Sequence, residues 1–469
     1  MVATWITEEV ADVDLHDKRL NKRLGLVLDQ LGSSISLSIP AACGGHSETT
    51  AAYRFFDNPK VDFENVLQPH IEATYRRMEP HDTVLLIQDT TEIDLTRPEK
   101  QVEGAGKLDG RRRVGMLLHP LLACLPDGTP LGTVAAEAWT RDDDRPALSK
   151  QTRAERQKTP IEEKESNRWL EGIHESQYIA SQIPNTRFIC VADSEADIYE
   201  VIEQASSKAK EVGSCGWIVR SCHSRVVLEQ EASSGTIREA LIGKRVLKVD
   251  TIQVRGRRQL VSMEKHRRKQ SREDRQAKVQ IRAGEVTLRP PYRPDRKLSK
   301  VTVHAVLITE KDCPSGENPI EWLLLTSEPI GTLAEVETVI RHYQVRWMIE
   351  IYFRTLKSCC RVEHRRFEHI DRMMPVLAIY MIIGWRAIYL CRLARHDQTR
   401  KCDEVFEESE WKSVVHFTTG APATKPPSLR ELVRIIGQLG GYSNLKRKDE
   451  PGPLTTCLGL QRVHDIAQC

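Results

Sequence analysis

Five side chains that can hold phosphate or a metal ion recur at helical spacing between residues 343 and 357. They stand three, four, four and three positions apart and are Tyr343, Arg346, Glu350, Arg354 and Lys357. At 3.6 residues per turn they share one narrow helix face, and apolar residues lie on the flank beside it. A lone glutamate can bind a hard divalent cation, and flanking arginine, lysine and tyrosine side chains can hold phosphate oxygens. The alternative is a solvated helix face laced with i,i+4 ion pairs.

Acidic residues also follow two short apolar runs that predict β-strands. Residues 83–88 end at Asp89, with Glu92 and Asp94 close behind, and residues 188–192 end at Asp193. A carboxylate just past the carboxyl end of a strand is a common catalytic position, and it is also a common capping position. From these residues alone Asp193 cannot be separated from Glu195 and Asp197, and Asp197 predicts an N-cap for a helix over 198–207.

The spacing Tyr-x2-Arg-x3-Glu-x6-Lys resembles the signature helix of the DDE transposases of bacterial insertion sequences, in the insertion-sequence-four group. Other short words resemble the same family from about residue 15 to residue 445, and the tail beyond Pro451 matches poorly. These words are L-H-D-K-R at 15–19, A-Y-R-F-F-D-N-P at 52–59, D-T-T at 89–91, E-K-E-S at 163–166, D-x-E-A-D at 193–197 and L-G-G-Y at 439–442. Ser194 departs from the family, which often has arginine there.

The resemblance implies a site of three carboxylates, Asp89, Asp193 and Glu350, that bind divalent metal. Mg²⁺ is the expected ion, with Mn²⁺ as a substitute. Two such ions roughly 3.5–4 Å apart can clamp the attacking and leaving oxygens of an in-line phosphoryl displacement.

DNA contacts are implied for five further residues, which are Tyr343, Arg346, Lys357, Arg220 in the word V-R-S and Trp322 in the word W-L-L-L-T. In the family the tryptophan stacks on a base pulled out of the duplex. The alternative for Trp322, in a run of leucines, is a plain core residue.

The expected fold is α/β, with an RNase H-like catalytic core of mixed sheet and helices that carries a β-rich insertion. Small helical domains flank the core at both ends. We predict a helical DNA-binding domain over 1–62 and a catalytic domain over 63–372, with the insertion at about 214–335. A helical C-terminal dimerisation region is predicted over 373–469. Residues 114–139 predict a β-hairpin around Pro126-Asp127-Gly128.

Composition is that of a globular protein, with 40% hydrophobic and 29% charged residues in 469. Between Arg255 and Lys300 there are sixteen Lys/Arg against five Asp/Glu, a local charge of +11 in a chain of net +3. This basic block predicts contact with a polyanion, or else a solvated loop. The twelve cysteines show no zinc spacing and are expected to be reduced. The longest apolar run, residues 373–385, predicts a buried helix and no membrane span.

The residues by themselves predict a metal-dependent enzyme that acts on nucleic acid. The resemblance implies more, namely a cytoplasmic Mg²⁺-dependent DNA transposase that acts as a homodimer. Its expected partners are the inverted-repeat ends of a transposon and target DNA, both double-stranded. Three other functions stay open: an RNase H-like nuclease without strand transfer, a glycosidase that uses two carboxylates, and a catalytically silent DNA-binding regulator. The basic helix face and the basic block argue against the glycosidase, and the intact carboxylates argue against the silent regulator.

Overall fold

The computed structural model of the protein describes residues 3–110, 112–141, 159–208, 213–228, 235–254, 256, 273–443 and 450–468. The chain divides into two compact units. The first comprises residues 1–151 and 345–469, and the second comprises residues 152–344.

Helices occur in both units and are numbered here along the chain. They are α1 (Thr4–Glu9), α2 (Lys18–Ser33), α3 (Ile39–Cys43), α4 (His46–Phe56), α5 (Phe63–Met78), α6 (Asn167–Gln182), α7 (Tyr199–Lys208), α8 (Ile237–Ile242), α9 (Leu333–Val345), α10 (Trp347–Arg354), α11 (Ile370–His396), α12 (Glu408–Thr419), α13 (Leu429–Leu439) and α14 (Pro453–Gln468). Short 3₁₀ turns cover Ile161–Glu163, Ser194–Ala196, Val362–His364 and Cys402–Glu404, and a π-helix covers Thr355–Cys359.

Strands are numbered in the same way. They are β1 (Thr83–Gln88), β2 (Thr91–Asp94), β3 (Gly106–Lys107), β4 (Val114–Cys124), β5 (Pro130–Trp139), β6 (Arg187–Ala192), β7 (Gly216–Arg220), β8 (Lys248–Val254), β9 (Arg275–Leu288), β10 (Val301–Lys311) and β11 (Glu321–Thr326). The predicted strands over residues 83–88 and 188–192 are thus present.

The N-terminal helices of the first unit begin at capping residues. Asp17 accepts a hydrogen bond from Arg19 N at 2.8 Å, and Asp62 accepts one from Asn65 N at 2.7 Å. Leu24 and Leu28 of α2 are fully buried. The short α3 follows, and Ser38 caps it by accepting a hydrogen bond from Ala41 N.

Strand β4 is the centre of the first unit's sheet, since β1, β2, β3 and β5 all pair with it antiparallel. The β4–β5 pair confirms the predicted hairpin. Its turn contains Gly128 with φ +86°, a left-handed conformation that glycine adopts without strain. A Cβ at this position would also lie 2.3 Å from a guanidinium nitrogen of Arg392.

Helix α11 provides the apolar core on which the first unit packs. Val376, Leu377 and Ala378 are fully buried, as are the residues that follow as far as Ile382. Among the described residues, α11 alone is long and apolar enough to cross a bilayer, and 83% of its most apolar window is buried within the protein. That burial is what the sequence predicts for a core helix.

The second unit contains a sheet with strand order β6-β7-β11-β10-β9-β8. Strands β6 and β7 are parallel, and the pairs from β7 through β8 are antiparallel. The antiparallel strands lie within the range predicted for the β-rich insertion. Both units are therefore mixed assemblies of helices and strands.

A buried polar network joins α1 to α5 and β5 in the first unit. His70 Nε2 accepts a hydrogen bond from Thr133 N at 3.1 Å, so Nδ1 carries the ring proton and donates to Glu9 at 2.5 Å. Arg77 also pairs with Glu9, and its guanidinium lies 4.2 Å from the ring centroid of Trp385. Burial lowers the pKa of His70, so the imidazole is neutral in the folded protein.

We expect the free energy of unfolding to decrease as the pH falls below about 6.5, because the unfolded chain protonates His70 and the folded chain does not. A lowered folded-state pKa contributes stability that is present above the unfolded pKa and lost below it. The slope from this one group approaches about 1.4 kcal/mol per pH unit. Urea unfolding between about pH 7.5 and about pH 5.5 measures it.

His70→Gln should make the free energy of unfolding less dependent on pH, because glutamine does not titrate. His16→Gln is the matched control, since the His16 side chain is 72% exposed. The same pH dependence in the wild type and in His70→Gln would contradict the assignment.

Candidate functional site

Asp89 directly follows the buried strand β1 and is itself only 7% exposed. Its Oδ1 accepts a hydrogen bond from Thr90 N at 2.8 Å. Thr90 Oγ1 lies 2.8 Å from His119 Nδ1, and His119 Nε2 lies 3.2 Å from Gln88 Oε1. These bonds hold the end of β1 against β4. Sequence reasoning missed His119, although a polar residue inside the apolar run of β4 signals a buried partner.

Arg346 connects Asp89 to Glu350. Its Nη1 donates to Asp89 Oδ2 at 2.9 Å, and its Nη2 lies 3.5 Å from Glu350 Oε1. Both carboxylates therefore contact one planar guanidinium. The structure brings together two of the three predicted metal-binding carboxylates, and it places a cation between them.

The signature segment is not one continuous helix, and here the sequence prediction is wrong. Helix α9 ends at Val345, α10 begins at Trp347, and Arg346 lies in the turn between them. Tyr343, expected on a polar face, is only 5% exposed. The expected core flank is confirmed, because Ile349, Tyr352, Phe353 and Leu356 are buried.

Lys357 lies in the π-helix that follows α10, where Cys360 N donates to Thr355 O at 3.0 Å, five residues back. A π turn has more residues than an α turn, so Lys357 no longer follows the 3.6-residue period that begins at Tyr343. Its Nζ lies 3.7 Å from a carboxylate oxygen of Glu363. Lys357 thus forms a separate ion pair with Glu363.

The three acidic residues after β6 differ in their surroundings. Asp193 is half-buried, and its Oδ1 accepts from Glu195 N at 2.8 Å. Asp197 is 1% exposed and accepts from five donors. Oδ2 takes Ser221 Oγ, Cys222 N and His223 N at 2.8–2.9 Å, and Oδ1 takes Arg225 Nε and Nη2 at 2.9 and 2.6 Å.

The predicted N-cap role of Asp197 is wrong, because its oxygens bind the segment after β7 and not the start of α7. Its lone pairs are all engaged, so Asp197 is a structural anchor. Among the described residues the Asp193 carboxylate accepts from one backbone N–H, that of Glu195, and it is half-buried. It is therefore the better candidate for an exchangeable ligand.

Asp197, Cys222 and His223 also form a cluster whose ligand atoms lie within 4.8 Å of one another. Burial and the Asp197 carboxylate raise the pKa of the Cys222 thiol, and a metal ligand must be the thiolate. Arg225 already neutralises Asp197. The cluster therefore has the chemistry of a buried ion pair, and we do not assign it as a metal centre.

Trp322 and Arg220 both lie on the sheet of the second unit. Trp322 is half-buried on β11, and its ring centroid lies 5.5 Å from that of Tyr343 at an interplanar angle of 72°. Trp217 of β7 is 1% exposed by contrast. Arg220 ends β7 opposite Leu324 and is also half-buried. The DNA contacts of both residues stay predictions.

The basic block falls partly outside the described residues. Arg255 and residues 257–272 are not described, and the block continues into β9 and the segment up to Lys300. Its contact with DNA stays a prediction.

Comparisons with known proteins give three family matches in chain order. The transposase DNA-binding family matches residues 2–61, the transposase DDE domain matches residues 220–381, and the Tn5 transposase dimerisation domain matches residues 382–468. The DDE match includes Glu350, Arg346 and Lys357, and it begins after Asp89 and Asp193.

Among solved structures, a piggyBac transposase synaptic complex with hairpin DNA matches with 8% identity and a TM-score of 0.34. The match covers 71% of this chain and 52% of that chain, so this chain spans about half the length of that relative.

Transposase domain families thus match three separate parts of the chain, and these matches support a DDE transposase. The C-terminal part of the chain is similar to the dimerisation domain of Tn5 transposase. The DDE match, together with the mixed sheets and the helices at both ends, confirms the predicted RNase H-like α/β fold class.

We expect Asp197→Asn and Asp193→Asn to have different effects on stability. Asp197→Asn leaves Arg225 without its anion in a buried site, which should lower the free energy of unfolding by about 3–5 kcal/mol. Asp193→Asn should leave thermal melting nearly unchanged, since its amide oxygen can still accept from Glu195 N. Melting curves of the two variants measure this. Equal melting temperatures would contradict the structural role of Asp197.

Proposed function

We propose that this transposase binds the inverted-repeat ends of a transposon, cuts them by metal-dependent phosphodiester hydrolysis and joins the 3′ ends to target DNA. The observation that supports this best is the pair of carboxylates, Asp89 and Glu350, that share the guanidinium of Arg346. It stands in a chain that matches transposase DNA-binding, DDE and dimerisation domains in that order.

The donor set fits a hard divalent cation. Asp89 and Glu350 offer carboxylate oxygens that already face one positive charge, and oxygen ligands are what Mg²⁺ binds. We propose that Asp193 is the third ligand, with Mg²⁺ as the ion and Mn²⁺ as a substitute. Bound Mg²⁺ would supply activation of the attacking oxygen and charge neutralisation on the phosphate.

The chain's own cations would position the DNA backbone. Arg346 and Lys357 each hold a carboxylate in the structure, and a phosphate group can replace that carboxylate because both are oxyanions. Arg220 and Tyr343 are proposed as further backbone contacts. The half-buried ring of Trp322 is proposed to stack on a base extruded near the transposon end.

We propose that three parts of the chain have different roles. Residues 1–62 bind end DNA, residues 63–372 hold the catalytic carboxylates, and residues 373–469 form the homodimer. The basic block over 255–300 is proposed to contact backbone phosphates. The Tyr-x2-Arg-x3-Glu-x6-Lys spacing supports placement in the insertion-sequence-four group, and a cytoplasmic, DNA-associated location follows from the proposed substrate.

Glu350→Gln should abolish DNA cleavage and keep DNA binding, because the amide retains the shape and loses the charge that a divalent cation requires. Glu408→Gln is the control, since the Glu408 side chain is 72% exposed on α12. Cleavage and gel-shift assays on duplexes that carry the inverted repeats flanking the gene measure both properties. Mg²⁺-dependent nicking by Glu350→Gln would refute the assignment. Cleavage by the wild type without joining to target DNA would identify a nuclease instead.

Trp322→Ala should reduce second-strand cleavage about tenfold to a hundredfold and change first-strand nicking little. A lost stacking platform costs roughly 1–3 kcal/mol per base, and nicking precedes base extrusion.

Trp217→Ala is the control for a core tryptophan and should cost roughly 3–5 kcal/mol of stability. Nicking, second-strand cutting and thermal melting are measured on one preparation. If Trp322→Ala is destabilised and both cleavage steps are equally impaired, Trp322 is a core residue and not a stacking platform.

A further inference from the structure

We propose that the Arg346 guanidinium keeps divalent cations from binding Asp89 and Glu350 until a DNA phosphate binds Arg346 in their place. Divalent cation binding would then follow DNA binding. The inference rests on the proposed function, because it assumes that Asp89 and Glu350 are metal ligands. It adds an order of events and gives Arg346 a second role beside its phosphate contact.

The geometry supports competition for the same oxygens. Arg346 Nη1 is 2.9 Å from Asp89 Oδ2, and Nη2 is 3.5 Å from Glu350 Oε1. A divalent cation held by these residues would need lone pairs on the same carboxylates. The guanidinium is always charged, so it presents a permanent positive charge to any approaching divalent cation.

Of the two contacts that Arg346 makes, the one with Asp89 is the more buried. The side chains of Arg346 and Asp89 are 13% and 10% exposed, whereas Glu350 is 40% exposed. The contact with Asp89 is a hydrogen-bonded ion pair that water screens little, whereas the contact with Glu350 is longer and more exposed to solvent. The bond that must break for metal entry is therefore Arg346 to Asp89.

The position of Arg346 allows the exchange. It lies in the turn between α9 and α10, where its backbone carbonyl accepts from Ile349 N at 3.1 Å, so the backbone is anchored while the side chain extends from a helix start. Phosphate accepts two parallel N–H bonds from a guanidinium, as a carboxylate does. A bound DNA backbone can thus take over the donors that Asp89 now receives.

Lys357 and Arg354, the other two cations of the signature segment, have different surroundings from Arg346. Lys357 pairs with Glu363 at 3.7 Å. Arg354 is exposed, lies one turn after Glu350 and has no ion pair recorded in the described part of the chain. Arg354 therefore offers a matched control, because its substitution removes the same charge from α10 without touching Asp89.

The test measures Mn²⁺ binding by the full-length protein with electron paramagnetic resonance, first without DNA. Arg346→Gln should bind Mn²⁺ about tenfold more tightly than the wild type or better, because it removes the guanidinium charge from both carboxylates. Arg354→Gln should stay within about twofold, since an exposed charge in water is screened. Melting curves of both variants are recorded beside the titrations. Should Arg346→Gln fail to fold, Arg346→Lys replaces it, because an ammonium cannot span both carboxylates and should give an intermediate gain.

The second arm repeats the titrations with a short duplex that carries the inverted repeat flanking the gene. DNA should tighten Mn²⁺ binding by the wild type about tenfold or more and change that of Arg346→Gln little. Arg346→Gln that binds Mn²⁺ no better than Arg354→Gln without DNA would overturn the inference. Wild-type binding that DNA leaves unchanged would overturn it too.

Glu350→Gln separates failure of the inference from failure of the proposed function. If this variant binds Mn²⁺ as the wild type does in the presence of DNA, the metal site itself is wrongly assigned. If Glu350→Gln loses Mn²⁺ binding and Arg346→Gln binds Mn²⁺ no more tightly than the wild type, the metal-site assignment is supported. The proposal that Arg346 makes metal binding follow DNA binding is then wrong.

Discussion

Electrostatic compensation of two neighbouring carboxylates is the constraint on which the candidate site depends. Asp89 and Glu350 repel each other unless a cation lies between them, and the guanidinium of Arg346 supplies that charge. The surrounding structure serves this arrangement. Strand β1 carries Asp89, α10 carries Glu350, and the turn between α9 and α10 points Arg346 at both. The compensating charge thus comes from the protein's own guanidinium.

Two buried ion pairs act as anchors elsewhere in the chain, and they differ from the candidate site in burial. Glu9 is enclosed with His70 and Arg77, and Asp197 is enclosed with Arg225. A pair shut away from water with every lone pair engaged holds elements together and offers nothing to a ligand. The half-buried carboxylates of Asp193 and Glu350 keep access to solvent, which a metal or phosphate site requires.

Local sequence signals were sufficient for most of the secondary structure. The apolar run before Asp89 and the turn at Gly128 each produced the predicted element, because hydrophobic period and turn chemistry act over a few residues. The π-helix over Thr355–Cys359 was not predictable, since a single wide turn leaves no periodic trace in the sequence.

By itself the sequence determined which residue types could form the site, because a strand end and a helical spacing are local patterns. It could not choose among the acidic residues after β6, nor show that Tyr343 is buried. Tertiary structure decided that Asp197 is an anchor and that Arg346 pairs with Asp89 across a sequence separation of 257 residues. The physical reason is that an ion pair's partner is set by chain packing over long separations, whereas a helix or strand is set by its neighbours.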